Sequence, residues 1–259
     1  MANCPTCNTQ VRYIEQHRQY YCDRCQAYVQ VTSAQPGSAQ PAKNYRLVGS
    51  ITPVLEYRIS PGQKLFGQPG LMVSRDPSVQ MAGKTKGGLG KALGRKLLSG
   101  ETMTQMEYSG QGIIRLSAGY AGKIVDIQIA GTPLRTKSGS YIAAEEGVEI
   151  GTTTEKIGTA IIGGTGLFQL LCTGRGMVFL QSVGDIIEGT LGAGQELVID
   201  ENHFLACDDT VQRARERVKG FRNIMTGGEG LFTLKLSGPG RYWIETGNLW
   251  TAGAGARRT

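Results

Sequence analysis

Residues 227–245 read GGEGLFTLKLSGPGRYWIE, and residues 163–181 read GGTGLFQLLCTGRGMVFLQ. Gly163 and Gly227 are 64 positions apart, as are Gly174 and Gly238, and Gly176 and Gly240. A third copy lies another 64 positions upstream, where GETMTQMEYSGQGIIRLS begins at Gly100 and carries Gly110 and Gly112. In each copy an alternating segment runs into [Ser/Thr]-Gly-x-Gly and a second alternating segment follows. Thr104, Met106 and Tyr108 match Phe168, Leu170 and Cys172, then Phe232, Leu234 and Leu236. The positions between them are mostly polar. A period of two places each apolar set on one face of a β-strand. The return segments also alternate, through Ile114 and Leu116, Val178 and Leu180, Tyr242 and Ile244. Gly-x-Gly between two strands suits a tight hairpin, because glycine reaches positive φ without a Cβ clash.

A second element recurs upstream of each copy. GLMVSRDPSV ends at Val79, SYIAAEEGV at Val148 and HFLACDDTV at Val211. Each is an apolar run that meets an acidic turn and then valine. Paired carboxylates can serve acid–base catalysis. Recurrence of Asp76, Glu145 with Glu146, and Asp208 with Asp209 at one repeated turn favours a structural use. The sequence therefore predicts an all-β fold: a three-repeat β-barrel or sandwich domain over residues 44–251. Each unit is too small to bury its own apolar faces. The 38 glycines, about twice the usual share of roughly 7%, fit short strands joined by turns.

The N-terminus is a separate module. Cys4-Pro-Thr-Cys7 and Cys22-Asp-Arg-Cys25 are two C-x-x-C pairs. Such pairs bring four thiolates to one tetrahedral ion, and zinc is the expected cofactor. The intervening NTQVRYIEQHRQYY reads as a short hairpin, with Val11, Tyr13, Tyr20 and Tyr21 available to pack beside the metal. A module of residues 1–31 has too little core to fold alone, so the metal supplies the missing stability. Four protein ligands leave no open position, which makes the zinc structural. His17 reads as a surface residue of the hairpin. Residues 32–43, TSAQPGSAQPAK, form a flexible linker. The tail, residues 252–259, is expected to be disordered.

GEGLF…SGPG…W, together with the basic insert KTKGGLGKALGRKLLSGE, resembles the altered inheritance of mitochondria protein 24 family. The resemblance covers roughly residues 45–251. It implies a β fold like that of the tryptophan RNA-binding attenuation protein, with three β repeats per chain and chains assembled as trimeric rings. It implies no catalytic residues. The zinc ribbon is an addition to the family pattern.

Lys84, Lys86, Lys91, Arg95 and Lys96 are interleaved with leucines in that insert. Leu89, Leu93 and Leu97 recur every four residues, so a short amphipathic helix could set cations against an anionic membrane or against phosphates. Gly87, Gly88, Gly90 and Gly94 oppose a helix, and a surface loop is the competing reading. Gly90-Lys91 is followed by Ala92, so the insert is no phosphate-binding P-loop. A second basic run, RARERVKGFR from Arg213, fits a helix face and a one-sided strand equally.

The formal net charge of +7 permits nucleic-acid or membrane contact without requiring it. No apolar run approaches a membrane span or a signal peptide, so a cytoplasmic location is expected. His203 reads as a turn residue, and Cys172 and Cys207 as small core residues. Without hydrolase, zincin or dinucleotide motifs, the expectation is a non-enzymatic, oligomeric scaffold or binding protein whose zinc ribbon recruits a partner. Its alternative is an RNA-binding protein using the ribbon and a basic face of the β ring, distinguishable by steep salt dependence.

Overall fold

The computed structural model describes residues 4, 7, 9–14, 19–29, 43–85, 104–153, 169–217 and 232–247. Linker residues 32–42, the insert beyond Thr85, His17, Trp250 and the tail lie outside the described residues. The chain divides into two compact units, Met1–Lys43 and Asn44–Thr259. The first contains one antiparallel sheet of β1 (Arg12–Ile14), β2 (Gln19–Cys22) and β3 (Ala27–Val29), in that order. The expected hairpin is present, with Tyr13 opposite Tyr20.

The second unit is all-β, and the described strands fall into three sets of six. The first set is β5 (Val54–Ile59), β6 (Lys64–Gly67), β7 (Met72–Arg75), β8 (Val79–Thr85), β9 (Thr104–Gly110) and β10 (Gly112–Ser117), preceded by β4 (Tyr45–Val48). The second is β11 (Gly122–Ala130), β12 (Leu134–Lys137), β13 (Tyr141–Glu145), β14 (Val148–Thr153) and the long β15 (Gln169–Val183), which supplies two strands' length. The third is β16 (Ile186–Leu191), β17 (Glu196–Asp200), β18 (Phe204–Asp208), β19 (Gln212–Arg217), β20 (Phe232–Ser237) and β21 (Gly240–Glu245). The ambiguous basic run is thus a strand over its described part.

Pairing follows one rule in all three sets. The segment after Gly-x-Gly pairs with the first and third strands: β10 with β5 and β7, the second half of β15 with β11 and β13, β21 with β16 and β18. The segment before it pairs with the second and fourth: β9 with β6 and β8, the first half of β15 with β12 and β14, β20 with β17 and β19. The two segments flanking Gly-x-Gly do not pair with each other. Gly-x-Gly is therefore a corner at which the chain passes from one group of strands to another, and the hairpin expectation is corrected. In the second set the strand runs through the corner unbroken.

The acidic turns explain why glycine stands at the corner. The amide N–H of Ile113 donates to Asp76 Oδ2 at 2.8 Å, that of Met177 to Glu145 Oε2 at 2.9 Å, and that of Arg241 to Asp208 Oδ2 at 2.9 Å. Each amide follows the second glycine directly. Those glycines, Gly112, Gly176 and Gly240, have φ of 139°, 145° and 149°. A Cβ at Gly112 would stand 2.8 Å from Asp76 Oδ2, and one at Gly240 would stand 2.6 Å from Val211 Cγ2. Only glycine admits both the backbone and the acidic turn. The valines closing the three turns, Val79, Val148 and Val211, are all buried.

Successive sets are joined by sheet continuation. β13 adds to the free side of β6, and β18 adds to the free side of β12. The third strand of one set thereby lies between its own set and the preceding one. This position is covered on both faces, which requires a nearly continuous apolar run rather than alternation. Tyr141-Ile142-Ala143-Ala144 and Phe204-Leu205-Ala206-Cys207 are fully buried runs of that kind. The core follows the joints. One cluster combines Leu55, Tyr57, Tyr108, Ile114 and Leu116 with Ile142 and Phe179 from the next set. Another combines Leu134, Leu170, Cys172, Val178 and Leu180 with Leu205 and Trp243 from the third. Trp243, isolated in the sequence, is a core residue, with its indole N–H donating to Glu188 Oε2 at 3.1 Å. The pairings among the described residues do not close a barrel.

Candidate functional site

The four N-terminal cysteine sulfurs lie within 4.8 Å of one another. Cys4 Sγ is 3.9 Å from Cys25 Sγ, and Cys7 Sγ is 3.5 Å from Cys22 Sγ. A tetrahedral ion with metal–sulfur bonds of about 2.3 Å requires sulfurs about 3.8 Å apart. The four cysteines are free thiols, not disulfides, and their separations match a metal shell. Local structure brings them together. Cys4 N–H donates to Thr9 O at 2.7 Å, which curls the first pair toward the hairpin. Cys22 ends β2, and residues 23–26 turn before β3, with Gln26 at φ 51° closing that turn. Cys4 and Cys22 are buried with Val11, and Tyr20 packs against them.

The thiols do not share one proton affinity. Hydrogen bonding to Thr9, first through its side chain and then through its backbone, lowers Cys7 to about 6. Cys25 is raised to about 12, chiefly by its hydrogen bond with Cys7 and then by burial. A thiolate beside a thiol is what a cluster of four negative ligands becomes before a cation neutralises it. Four protein sulfurs complete a tetrahedral shell and leave no position for substrate.

Around this centre the module turns aromatic and basic groups outward. Tyr13 and Tyr28 are half exposed, and both contact another ring edge-on: Tyr13 meets Tyr20 at 5.0 Å, and Tyr28 meets Tyr21 at 5.1 Å. The Arg12 guanidinium sits over the Tyr21 ring at 5.6 Å and pairs with Asp23 at 3.2 Å. Of the four tyrosines and aliphatics expected beside the metal, Val11 and Tyr20 are there.

The basic insert begins differently from its sequence reading. Lys84 belongs to β8. Its ammonium is paired with Glu107 and lies 5.3 Å from the centre of the Phe66 ring. Glu107 also pairs with Lys64 at 3.1 Å, and these two lysines, Lys84 first, hold its carboxyl below the usual range. Lys84 is thus engaged with the sheet. Lys86, Lys91, Arg95 and Lys96 lie outside the described residues.

In the β unit, His203, Cys172 and Cys207 are each engaged by the fold. His203 ends a short 3-10 turn and contacts the Glu245 carbonyl through Nδ1 at 2.7 Å. Cys172 and Cys207 are completely buried, and burial raises both thiols, Cys172 to about 12. A thiol held protonated is a poor nucleophile. Among the described residues, no helix is long and apolar enough to cross a membrane.

A family model described as mitochondrial biogenesis AIM24 matches residues 45–247. The chain belongs to this family. The match begins at β4 and leaves the cysteine module outside it, as expected for an addition to the family pattern. The X-ray crystal structure of a Streptococcus pyogenes protein is similar to the chain, with a TM-score of 0.68 and 25% identity. That similarity covers 83% of this chain and 98% of the streptococcal one. A search of curated proteins gives no match.

Proposed function

We propose that this AIM24-family chain is a non-enzymatic, homo-oligomeric scaffold of the cytoplasm, a trimer as the family resemblance implies. Its N-terminal module holds one structural zinc and recruits a partner protein. The remaining insert cations meet an anionic membrane surface. The observation that carries this reading is the closed four-sulfur shell, in a module that also exposes Tyr13, Tyr28, Arg12 and Arg24. A metal so enclosed fixes the shape of a small surface, and aromatic and arginine side chains are favoured contacts at such surfaces. The test is native mass spectrometry with metal analysis of the gently purified full chain. A trimer with one zinc per chain supports the reading. A monomer, or a chain that binds no zinc, overturns it. Co-purifying RNA whose binding weakens steeply with salt would favour the RNA-binding alternative instead.

A further inference from the structure

Turns of the first set meet beside its corner and border an open cleft of about 300 Å³. Arg58 lines it from β5, Ser60 and Pro61 from the turn after β5, Ser78 from the acidic turn, and Gln111 and Gly112 from the corner itself. That volume lies at the lower end of the range for small-ligand pockets. No carboxylate lines the cleft among the described residues. The corner's own acid, Asp76, is turned to the Ile113 amide, 2.8 Å away.

Three of the lining side chains are donors that the fold leaves unused. Arg46 and Arg115 both pair with Glu56, at 2.6 Å and 2.8 Å. Arg58 stands two residues beyond Glu56, on the face of β5 turned away from the core. Among the described residues its guanidinium has no ion pair or hydrogen bond. Ser60 is fixed through its backbone: its N–H donates to Gln63 Oε1 at 3.2 Å, and its carbonyl accepts from the Gln63 N–H at 3.0 Å. Its hydroxyl has no partner among the described residues. Ser78 Oγ donates to Gln111 O at 2.5 Å, which ties the acidic turn to the corner. The Gln111 side-chain amide is exposed and likewise without a partner among the described residues.

The other two corners show which of these groups the fold requires. Ile113, Met177 and Arg241, 64 apart in sequence, face Arg58, Gln128 and Thr190. Gly112, Gly176 and Gly240 face Ile59, Ile129 and Leu191, so Ser60 corresponds to Ala130 and Gly192. Ser78 corresponds to Gly147 and Thr210, each one residue before the buried valine, and Gln111 to Arg175 and Pro239. The second corner has a cation in Arg175 but no hydroxyl at either serine position, and its Gln128 Nε2 already donates to Gly176 O at 3.2 Å. The third has no cation at these positions, and the adjacent Arg241 is held by Asp208. All three corners turn with equivalent glycines, acid and valine. The cation and donors of the first corner are therefore no requirement of the turn, and they converge on one cleft.

We propose that this cleft binds a phosphomonoester group. A guanidinium offers two parallel N–H donors that match two phosphate oxygens. The Ser60 hydroxyl and the Gln111 amide are neutral donors for the remaining oxygen. The cleft is open to solvent, so either a soluble molecule or a lipid headgroup can present the phosphate. The site uses no residue of the four-sulfur module or of the basic insert beyond Thr85, and it does not rest on the oligomeric reading above.

The experiment titrates inorganic phosphate into the full-length chain by calorimetry. A second arm measures co-sedimentation with phosphatidylcholine vesicles containing phosphatidic acid, whose headgroup is a phosphomonoester. Arg58→Gln is compared with the parent in both arms. Its melting temperature should be unchanged, because Arg58 is exposed and its guanidinium is unpaired among the described residues. The expected result is binding that Arg58→Gln weakens at least about tenfold in one arm or both, as loss of a charge-assisted hydrogen bond implies. An effect in the phosphate arm assigns a soluble source, and an effect in the vesicle arm alone assigns a headgroup. Arg175→Gln, at the second corner, should bind as the parent does. No binding in either arm, or binding that Arg58→Gln leaves intact in both, overturns the site. Equal weakening by Arg175→Gln would mean general charge attraction and overturns it as well.

Discussion

The carboxylate of Asp208 accepts both the backbone N–H of Arg241, at 2.9 Å, and its guanidinium, through Nε at 3.0 Å and Nη2 at 2.9 Å. The same carboxylate position serves Ile113 and Met177 in the earlier sets, through Asp76 and Glu145. A recurring acidic residue thus acts as a recurring backbone acceptor. It pins the strand at the point where it leaves one group of strands for another. The Arg241 guanidinium also lies 5.1 Å from the Trp243 ring centre, which couples this corner to the core.

Replacing Asp208 by Ala leaves a corner amide without its acceptor and a guanidinium without its counter-ion. Losing hydrogen bonds to a buried charged group costs about 2–3 kcal/mol. For a unit of this size the melting temperature should fall by roughly 4–12 °C. Calorimetry of the purified variant checks this, and an unchanged transition would contradict the account of the corner. Asp208→Asn keeps one acceptor oxygen and should recover part of the loss.

Two glycines with similar dihedral angles should respond differently to alanine. Gly174 has φ of 97°, and a Cβ there would lie 2.2 Å from Gly147 O. Gly139 has φ of 84°, but a Cβ there meets nothing within 4 Å. Gly139→Ala should lose about 1–2 kcal/mol, the cost of left-handed backbone alone. Gly174→Ala must also displace backbone and should lose clearly more. Denaturant midpoints measured side by side decide it, and equal losses would mean that the corner is not tightly packed.

Much of this architecture was legible because its causes are local. The 64-residue spacing, the corner glycines and the acidic turns repeat in the sequence since each makes the same short-range contacts in every set. The four cysteines announced their grouping through spacing alone. The hairpin reading failed because two alternating strands around Gly-x-Gly look the same whether they pair with each other or with distant strands. Only long-range register separates these cases, and sequence alternation carries no partner identity. Residues 212–217 were ambiguous for a related reason, since their alternating arginines, flanked by Val211 and Val218, fit either period. In the structure Arg215 reaches across to Glu201 at 2.6 Å, a contact no local pattern contains.

Acid should weaken one part of the first set. Glu56 lies between Arg46, at 2.6 Å, and Arg115, at 2.8 Å, and its carboxyl is held below its usual value, first by the hydrogen bond from Arg46. A carboxyl lowered on folding contributes stability above its unfolded value of about 4.3, and that contribution is lost as pH falls through the folded value. The melting temperatures of the parent and Glu56→Gln should therefore differ at pH 7 and converge as pH drops below about 4. Arg46 is largely exposed, so added salt should also narrow the gap. A gap that widens in acid would contradict the assignment.

Metal removal should unfold the cysteine module and spare the β unit. Among the described residues, the module's core is little more than Val11, Tyr20 and the cysteines themselves. That is too small to hold three short strands, so metal binding must supply the balance; structural zinc provides about 10–16 kcal/mol in comparable peptides. The β unit has its own core and no residue in the four-sulfur shell. A chelator should therefore speed tryptic cleavage after Arg12 and Arg24 by at least about tenfold, while the main calorimetric transition stays in place. Acid should do the same. A sulfur binds a metal as thiolate, so protons compete with the metal, and a metal's contribution would be present at neutral pH and lost as pH falls. Cys22→Ser, which removes a buried ligand, should show rapid cleavage without chelator. Cleavage rates that ignore both chelator and Cys22→Ser would mean that the four sulfurs hold no structural metal.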